Sequence, residues 1–496
     1  MGRLRVLLAG AALWLLGCSG DRVLGDYPPS TCDLAEPPDE FSDEPFSIAT
    51  FWADREQAAL ETLRKRVDSD RYLISTEQIG TRVEVQRHIN DAFESQKLPD
   101  VFQVNGGSDV LRWVRDRAPD ATDVCPLDRL RERNHWSERY FPDALGPLSC
   151  HGNLYGLPVG IHHLNVLFYN RELWKALIER ARASGLELLE PAQLKSPYEL
   201  LSQLHRITSL EATTPSGAPL APLALGAESE WPLTIIAFEN VLLGLTSDAY
   251  DTLWMGGLEV ASEQRRMELR ETLQEMLAVL RELRSFSDTA ASMSWQDALR
   301  QVGTGEALLT ITGDWGFAQL DPEMLEKVEA ITFPGTADTF VYTPDSFAVP
   351  RELKKNGFPA RSFLESVVAD KAALIDFSNA KHSIPPRNDL NDTEVASLAS
   401  QNLRDTYRQF SSCDANHGCT LRLAVSGLAP PPGTDPCFDE MDSLLGFAVT
   451  GHDPWSGSSV PRRCASALPR TAAQAEERLL DLLLEVAQRR FAADCR

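Results

Sequence analysis

The chain is short of positive charge: 48 Lys and Arg stand against 72 Asp and Glu, a net charge of −24 over 496 residues. That balance excludes nucleic acid as a partner and disfavours a cleft built for polyanions, because phosphates demand a positive field. A neutral or cationic ligand suits it better. Signatures of catalysis are also missing. There is no Gly-x-Ser-x-Gly, no His-Glu-x-x-His and no Walker-type loop, and "GTGEA" (303–307) lacks the Lys-Ser/Thr pair that a phosphate cradle requires. No internal repeat is present. With 72 acidic residues, candidate carboxylate pairs for glycoside hydrolysis are guaranteed, so their presence carries no information. What remains is an ordinary globular composition, 43% hydrophobic and 24% charged, long enough for two or three domain-sized units.

The N-terminus reads "MGRLRVLLAGAALWLLGCSGD". Arg3 and Arg5 precede an apolar run, Val6 to Leu16, that is too short to span a bilayer and stay. The run closes on Leu15-Leu16-Gly17-Cys18, which resembles the bacterial lipobox. The expectation is a signal peptide over 1–17 and a lipid on Cys18, holding the chain to a bilayer. Residues 18–45, rich in Pro, Asp, Glu and Gly, read as a tether. Export implies an oxidising compartment. Without Cys18, eight cysteines remain: 32, 125, 150, 413, 419, 437, 464 and 495. They fit a disulfide set with many possible pairings, and proximity in sequence suggests Cys413–Cys419 and Cys437–Cys464. A metal at Cys413, His417 and Cys419 lacks a fourth ligand at suitable spacing.

The body begins at "FSIATFW" (46–52), followed by Leu60, Leu63 and Val67 at helical spacing, then by "YLISTEQI" and "PDVFQVNGG" with a helical stretch between them. Strands alternating with helices predict an α/β fold with a mainly parallel sheet. Ligands of such sheets sit beyond the carboxyl ends of strands, which singles out Trp52 and Asn105. If the first strand continues, Phe51 and Trp52 face opposite sides, and Trp52 is assigned to the cleft. His162 and His163, adjacent on a strand, also face opposite sides, so they cannot share a metal; Asn165 lies on the face of His163. Trp315, in "LLTITGDWG" (308–316), sits between glycines that permit close backbone approach. By spacing alone a packed core indole is the better reading there.

Six segments in order carry a resemblance: "LPDVFQVNGG" (98–107), "LYGLPVGIHHLNVLFYNREL" (154–173), "EWPLTIIAFENVLLGL" (230–245), "GTGEALLTITGDWG" (303–316), "PDSFAVP" (344–350) and "HSIPPRNDL" (382–390). Together they resemble the extracellular solute-binding proteins of ATP-binding-cassette sugar importers, and most closely the glucose-type branch. The resemblance implies two α/β lobes of the periplasmic-binding-protein fold, joined by crossing strands, with a sugar cleft between them. It divides the chain into a first lobe over 46–160, a second over 161–339, a return to the first over 340–378, and a second-lobe return with a cysteine-bearing tail over 379–496. It also implies capture rather than catalysis, without a cofactor or a resident metal, and a membrane permease as partner. A sugar's hydroxyl edge wants carboxylates, amides and imidazoles; its C–H faces want aromatic rings. On that basis the implied ligand set is Trp52, Asn105, His162, Asn165, Trp231, Asp314, Trp315, Asp345 and His382. Asn165 and Asp345 have the hinge as an alternative, and Arg387 is read as holding a proline-rich loop. His163 stands where the glucose-type pattern has a basic residue, which leaves the ligand's identity open. A lipid-anchored carbohydrate-active enzyme and a sensor or scaffold lipoprotein are the competing readings.

Overall fold

The computed structural model describes residues 32, 46–52, 56–66, 74–78, 82–95, 97–114, 122–226, 230–287, 293–351, 358–428, 436–450, 464 and 472–488. Cys18, the expected signal peptide and nearly all of the tether lie outside the described residues.

Twelve strands follow one another along the described chain. They are β1 (Phe46–Thr50), β2 (Ile74–Gln78), β3 (Val101–Asn105), β4 (Ser149–Cys150), β5 (Asn153–Leu154), β6 (Leu157–His163), β7 (Val166–Asn170), β8 (Ala221–Ala224), β9 (Ala307–Ile311), β10 (Val328–Thr332), β11 (Thr339–Ala348) and β12 (Thr420–Leu423). Two sheets carry the architecture. The first runs β12-β11-β3-β1-β2, with β6 also paired to β11; the second runs β10-β7-β9-β8. In the first sheet β1 is parallel to β2 and β3, as the strand–helix alternation predicts, while β11 runs antiparallel to β3 and β6.

Each sheet is buried by helices whose apolar stripes face it. Leu60 and Leu63 of the helix Gln57–Arg64 meet Ala373, Leu374 and Phe377 of Lys371–Lys381 in the core of the first lobe. In the second lobe, Trp174 and Leu177 of Arg171–Ala183 and a heptad-like series on Glu263–Ser285 (Leu269, Leu273, Met276, Leu280 and Leu283) fill the core against β7 to β9. Their starts are fixed locally: Asn170 and Ser262 each accept a backbone N–H of the first turn through the side chain.

The chain passes between the lobes three times. It leaves the first sheet through Leu164-Asn165 into β7, returns from β10 through Phe333–Asp338 into β11, and leaves again after β12 through Ala424–Leu428. Asn165 ties the first two passages together. Its amide nitrogen donates to Thr336 Oγ1 (2.8 Å) and to the Thr339 carbonyl (3.0 Å), and its amide oxygen accepts from Val341 N–H (2.9 Å). The third passage is held by Arg422, which grips Asp251 with two nitrogens at 2.8 Å each, and by the Tyr250 hydroxyl on the Leu423 carbonyl.

The division expected from the resemblance needs correcting at its end. Residues 379–423 stay with the first lobe: Ile384 bridges to Ile161, Phe410 packs on Phe340 and Tyr342, and β12 pairs with β11. The second lobe resumes only beyond Leu423, where the helices Pro436–Thr450 and Ala472–Gln488 join its core. Among the described residues, three cysteine pairs have sulfurs within disulfide reach: Cys32 with Cys125, Cys413 with Cys419 and Cys437 with Cys464, with Cα separations of 5.4, 4.8 and 4.5 Å.

Candidate functional site

Strand register assembles the site. Across three adjacent strands, Asn105, Asp345 and Gly160 form one row, and Thr343 and His162 form the next, on the same face. Between Asp345 and Ser346 the pairing with β6 shifts by one residue, leaving Val159 as the extra residue of a bulge. Such bulges re-aim a side chain beside them. Gly160, opposite Asp345, has no room for a side chain: a Cβ there would lie 3.0 Å from Ser383 Cβ and 3.2 Å from the Phe377 ring.

From the second lobe, the turn after β9 brings Asp314 onto this face. Its backbone N–H donates to the His163 carbonyl at 2.9 Å, and its Oδ1 lies 2.6 Å from His162 Nδ1. The other imidazole nitrogen, Nε2, is 3.3 Å from Asp345 Oδ2, close enough for Coulomb attraction but not aligned as a hydrogen bond. Asp345 Oδ2 also accepts from Trp52 Nε1 (3.2 Å) and lies 3.7 Å from Lys381 Nζ. Lys381 in turn binds Glu56. His162, Asp314, Asp345 and Lys381 are all nearly inaccessible to water.

Burial and the neighbouring charges set the protonation states. Burial and the Lys381 charge pull the His162 pKa down, but the Asp314 and Asp345 carboxylates outweigh both and raise it above the ordinary value. Burial pushes Asp345 up, yet Lys381, His162 and the Trp52 N–H prevail and hold it below the usual carboxylate range. Lys381 loses by burial and gains more from Glu56 and Asp345, so its pKa rises. His163 points the other way, stacked on Phe340 with ring centroids 3.9 Å apart, and burial brings its pKa down to about 4. It is therefore neutral at pH 7, and the basic group of the glucose-type pattern is absent at that position.

Trp315 answers its own spacing. Its indole folds back over Gly313: a Cβ at 313 would sit 2.5 Å from Cε3 and closer still to Cζ3 and Cη2. The indole meets His162 edge to face at 5.6 Å and Trp295 at 6.4 Å, and it keeps 9% of its surface exposed at the lobe junction. Trp52 departs from its expected place. It is 1% exposed, wedged between Phe347 and Phe377 with its N–H on Asp345, and so supports that carboxylate from the core instead of offering a face to the cleft. The strand ends at Thr50, so the alternation that assigned Trp52 to the cleft no longer governs it. Trp231 lies on the helix Glu230–Thr234, and its side chain lies outside the described residues. His382, in a left-handed turn closing the helix Lys371–Lys381, stacks on Phe317 across the lobe junction at 6.0 Å. The Asn165 amide is committed to the crossing segments described above. Arg387 clamps its loop through Asp389 and the Ala369 carbonyl. Glu56, Thr343 and Ser383 join the site without having been singled out from the sequence; for Glu56 the available signal was an acid shortly after Trp52.

Several buried polar atoms of this face have no protein partner: Asp314 Oδ2, Asn105 Oδ1, Gln103 Nε2, Thr343 Oγ1 and Ser383 Oγ. Leaving such a group without a partner costs about 1–3 kcal/mol, so a hydrogen-bonding molecule at the lobe junction would gain by satisfying several of them at once. An open cavity of about 520 Å³ lies elsewhere, between Pro191–Lys195 and β10 with Phe333–Asp338. Its charged lining residues, Lys195 and Asp338, are exposed and make no comparable network.

Two α/β lobes, three crossing segments and a buried polar junction define a two-lobed binding protein of the periplasmic type. Residues 68–402 match the family described as bacterial extracellular solute-binding protein, more than half of the chain, and the chain belongs to that family. Among curated relatives, it is 24% identical over 318 residues to an uncharacterized ABC transporter extracellular-binding protein of Pyrococcus horikoshii, covering 62% of this chain and 63% of that one. To a probable sugar-binding periplasmic protein of Rhizobium meliloti it is 24% identical over 71% of this chain and 78% of that one. The chain thus spans under two thirds of the Pyrococcus relative. Among solved structures it resembles a chitin oligosaccharide binding protein (TM-score 0.66, 13% identity, 90% of this chain and 99% of that one). It also resembles a bacterial solute receptor with an exclusive preference for β-D-galactopyranose (TM-score 0.63, 14% identity, 88% and 97%). At these identities the likeness concerns the fold. Among the described residues no helix is long and apolar enough to cross a membrane.

Proposed function

We propose that this chain captures a sugar, a monosaccharide or short oligosaccharide, between its lobes and delivers it to the permease of an ABC importer without chemically altering it. The observation that supports this most directly is the set of buried, unpartnered polar atoms gathered around His162 and Asp314 beside the Trp315 indole. The proposed contacts are Asn105, His162, Asp314 and Asp345 for hydroxyls, Trp315 for a sugar face, and His382 at the rim. Trp231 keeps its sequence-based place as a second platform. Trp52 becomes a support for Asp345, and Asn165 a hinge tie. Lipid attachment at Cys18 after removal of 1–17 and disulfides at the three cysteine pairs complete the reading, and place the protein outside the cytoplasm on a membrane surface.

The test is calorimetric titration of the 19–496 fragment with a panel of sugars, followed by recovery of the ligand. Saturable binding of one sugar, its return unchanged, and loss of affinity in a folded Trp315→Ala variant are expected. Sugar binding that ignores Trp315 would remove the indole from the site. A ligand returned cleaved would favour the carbohydrate-active enzyme.

A further inference from the structure

Among the described residues, the charges of the junction do not balance. Facing one another there are three carboxylates, Glu56, Asp314 and Asp345, against one ammonium, Lys381, and one imidazole, His162. Lys381 is divided between Glu56 and Asp345. His162 spends Nδ1 on Asp314 Oδ1 and turns Nε2 toward Asp345. His382, stacked on Phe317 beside the junction, has its pKa lowered by burial and adds no positive charge at neutral pH. With His162 protonated the junction still carries one negative charge in excess; with His162 neutral it carries two. Asp314 shows where the excess is felt: it is 3% exposed, and its Oδ2 has no partner in the protein. Asn105 Oδ1, in the row of Asp345, is a second buried acceptor without a donor. A buried, half-satisfied carboxylate is costly until a donor reaches it, and a charged donor satisfies it best. An acidic guest would instead find both cations already engaged and meet uncompensated negative charge.

We infer that the cleft selects a sugar bearing a protonated amine, seated against Asp314 Oδ2, and rejects acidic sugars; this rests on the capture reading above. The neutral hydroxyl edge is handled by Asn105, Thr343 and Ser383. The ammonium adds a charge-assisted hydrogen bond and restores the balance of the junction.

Calorimetric titration with matched sets tests it: glucose, glucosamine, N-acetylglucosamine and glucuronate, and the same four on the galactose skeleton. In one set the free amino sugar should bind about tenfold or more tighter than the neutral parent. The N-acetyl form, which keeps the nitrogen but loses the charge, should lose that advantage, and the uronate should show no saturable binding. Asp314→Asn should bring the amino sugar to within about threefold of the parent. Should that variant misfold, the wild-type protein supplies the same information, because the advantage should vanish as pH rises through the titration of the sugar's own amine. Equal binding of parent and amino sugar, or saturable binding of a uronate, overturns the inference. If a neutral sugar binds through Trp315 with no gain from the amine, the charge inference alone falls. If folded protein binds no member of either set, capture of a hexose falls with it.

Discussion

Replacing Gly313 by alanine isolates one contact at the centre of the site. The new methyl carbon would lie 2.5 Å from Trp315 Cε3, and nearer to two other ring atoms. Ordinary carbon–carbon contact begins at about 3.5 Å, so the indole must retreat by about 1 Å or more. It cannot do so freely, because His162 and Trp295 meet it edge to face. Gly313 has no positive φ, so the substitution brings steric conflict without backbone strain. Overpacking of this kind costs about 1–3 kcal/mol. In a unit the size of one lobe that corresponds to a fall in Tm of roughly 2–12 °C, at about 2–4 °C per kcal/mol. If Trp315 is also a sugar platform, affinity should fall in parallel and indole fluorescence should shift. The decisive assay is a double-mutant cycle in denaturant melts. Gly313→Ala should be costly in the wild-type background and nearly neutral in Trp315→Ala, giving a coupling of about 1 kcal/mol or more. An equal cost in both backgrounds would falsify the claim that the glycine exists to seat the indole.

The adjacent histidines should give opposite pH slopes. The depressed His163 pKa means that the unfolded chain binds the proton first, so stability is full above about 6.5 and is lost as pH falls toward about 4, by about 3 kcal/mol in total. Denaturant melts across that range should show this loss in the wild type and not in His163→Phe; parallel curves would refute it. His162, with its raised pKa, contributes stability that is complete below its unfolded value and fades as pH rises through its folded one, so His162→Gln should be relatively less harmful at alkaline pH. Lys381→Met should destabilise by about 3–5 kcal/mol, because Glu56 and Asp345 are left buried without their cation, and chemical denaturation would show it. Asn165→Ala strips partners from Val341 N–H and the Thr339 carbonyl. It should cost about 2–4 kcal/mol and speed hydrogen exchange in both crossing segments, and unchanged exchange there would argue against its role as a tie.

Local chemistry was the part of this site legible in sequence. Two-residue periodicity was enough to separate His162 from His163, and the glycines of "GDWG" did announce a close approach by Trp315. Residues close in sequence also found each other, as Cys413 and Cys419 did at a separation of six. Trp52 was misread because its environment is set at long range: its N–H meets Asp345, 293 residues away, after the strand that would have fixed its direction has ended. Lys381 and Glu56 are 325 residues apart, and neither residue's neighbours in sequence hint at the other. The late return to the second lobe was hidden for the same reason. Whether the segment after residue 379 packs on one sheet or the other is decided by partners such as Ile161 and Phe340, not by its own pattern.

The backbone bond from Asp314 N–H to the His163 carbonyl sits one residue from the first crossing segment, where a rotation of the lobes about that segment would have its fulcrum. Points near a fulcrum sweep short arcs, and points far from it sweep long ones. A jaw that opened about this point would keep Asp314 near His162 and would part first the Phe317–His382 contact, which joins one lobe to the other. Half of the contact surface would then stand assembled before any guest arrives, with the outer rim left to act as a latch. A guest would find its anchor first and be enclosed second, so that arrival rates would respond to substitutions at Asp314 and residence times to substitutions at Phe317 and His382.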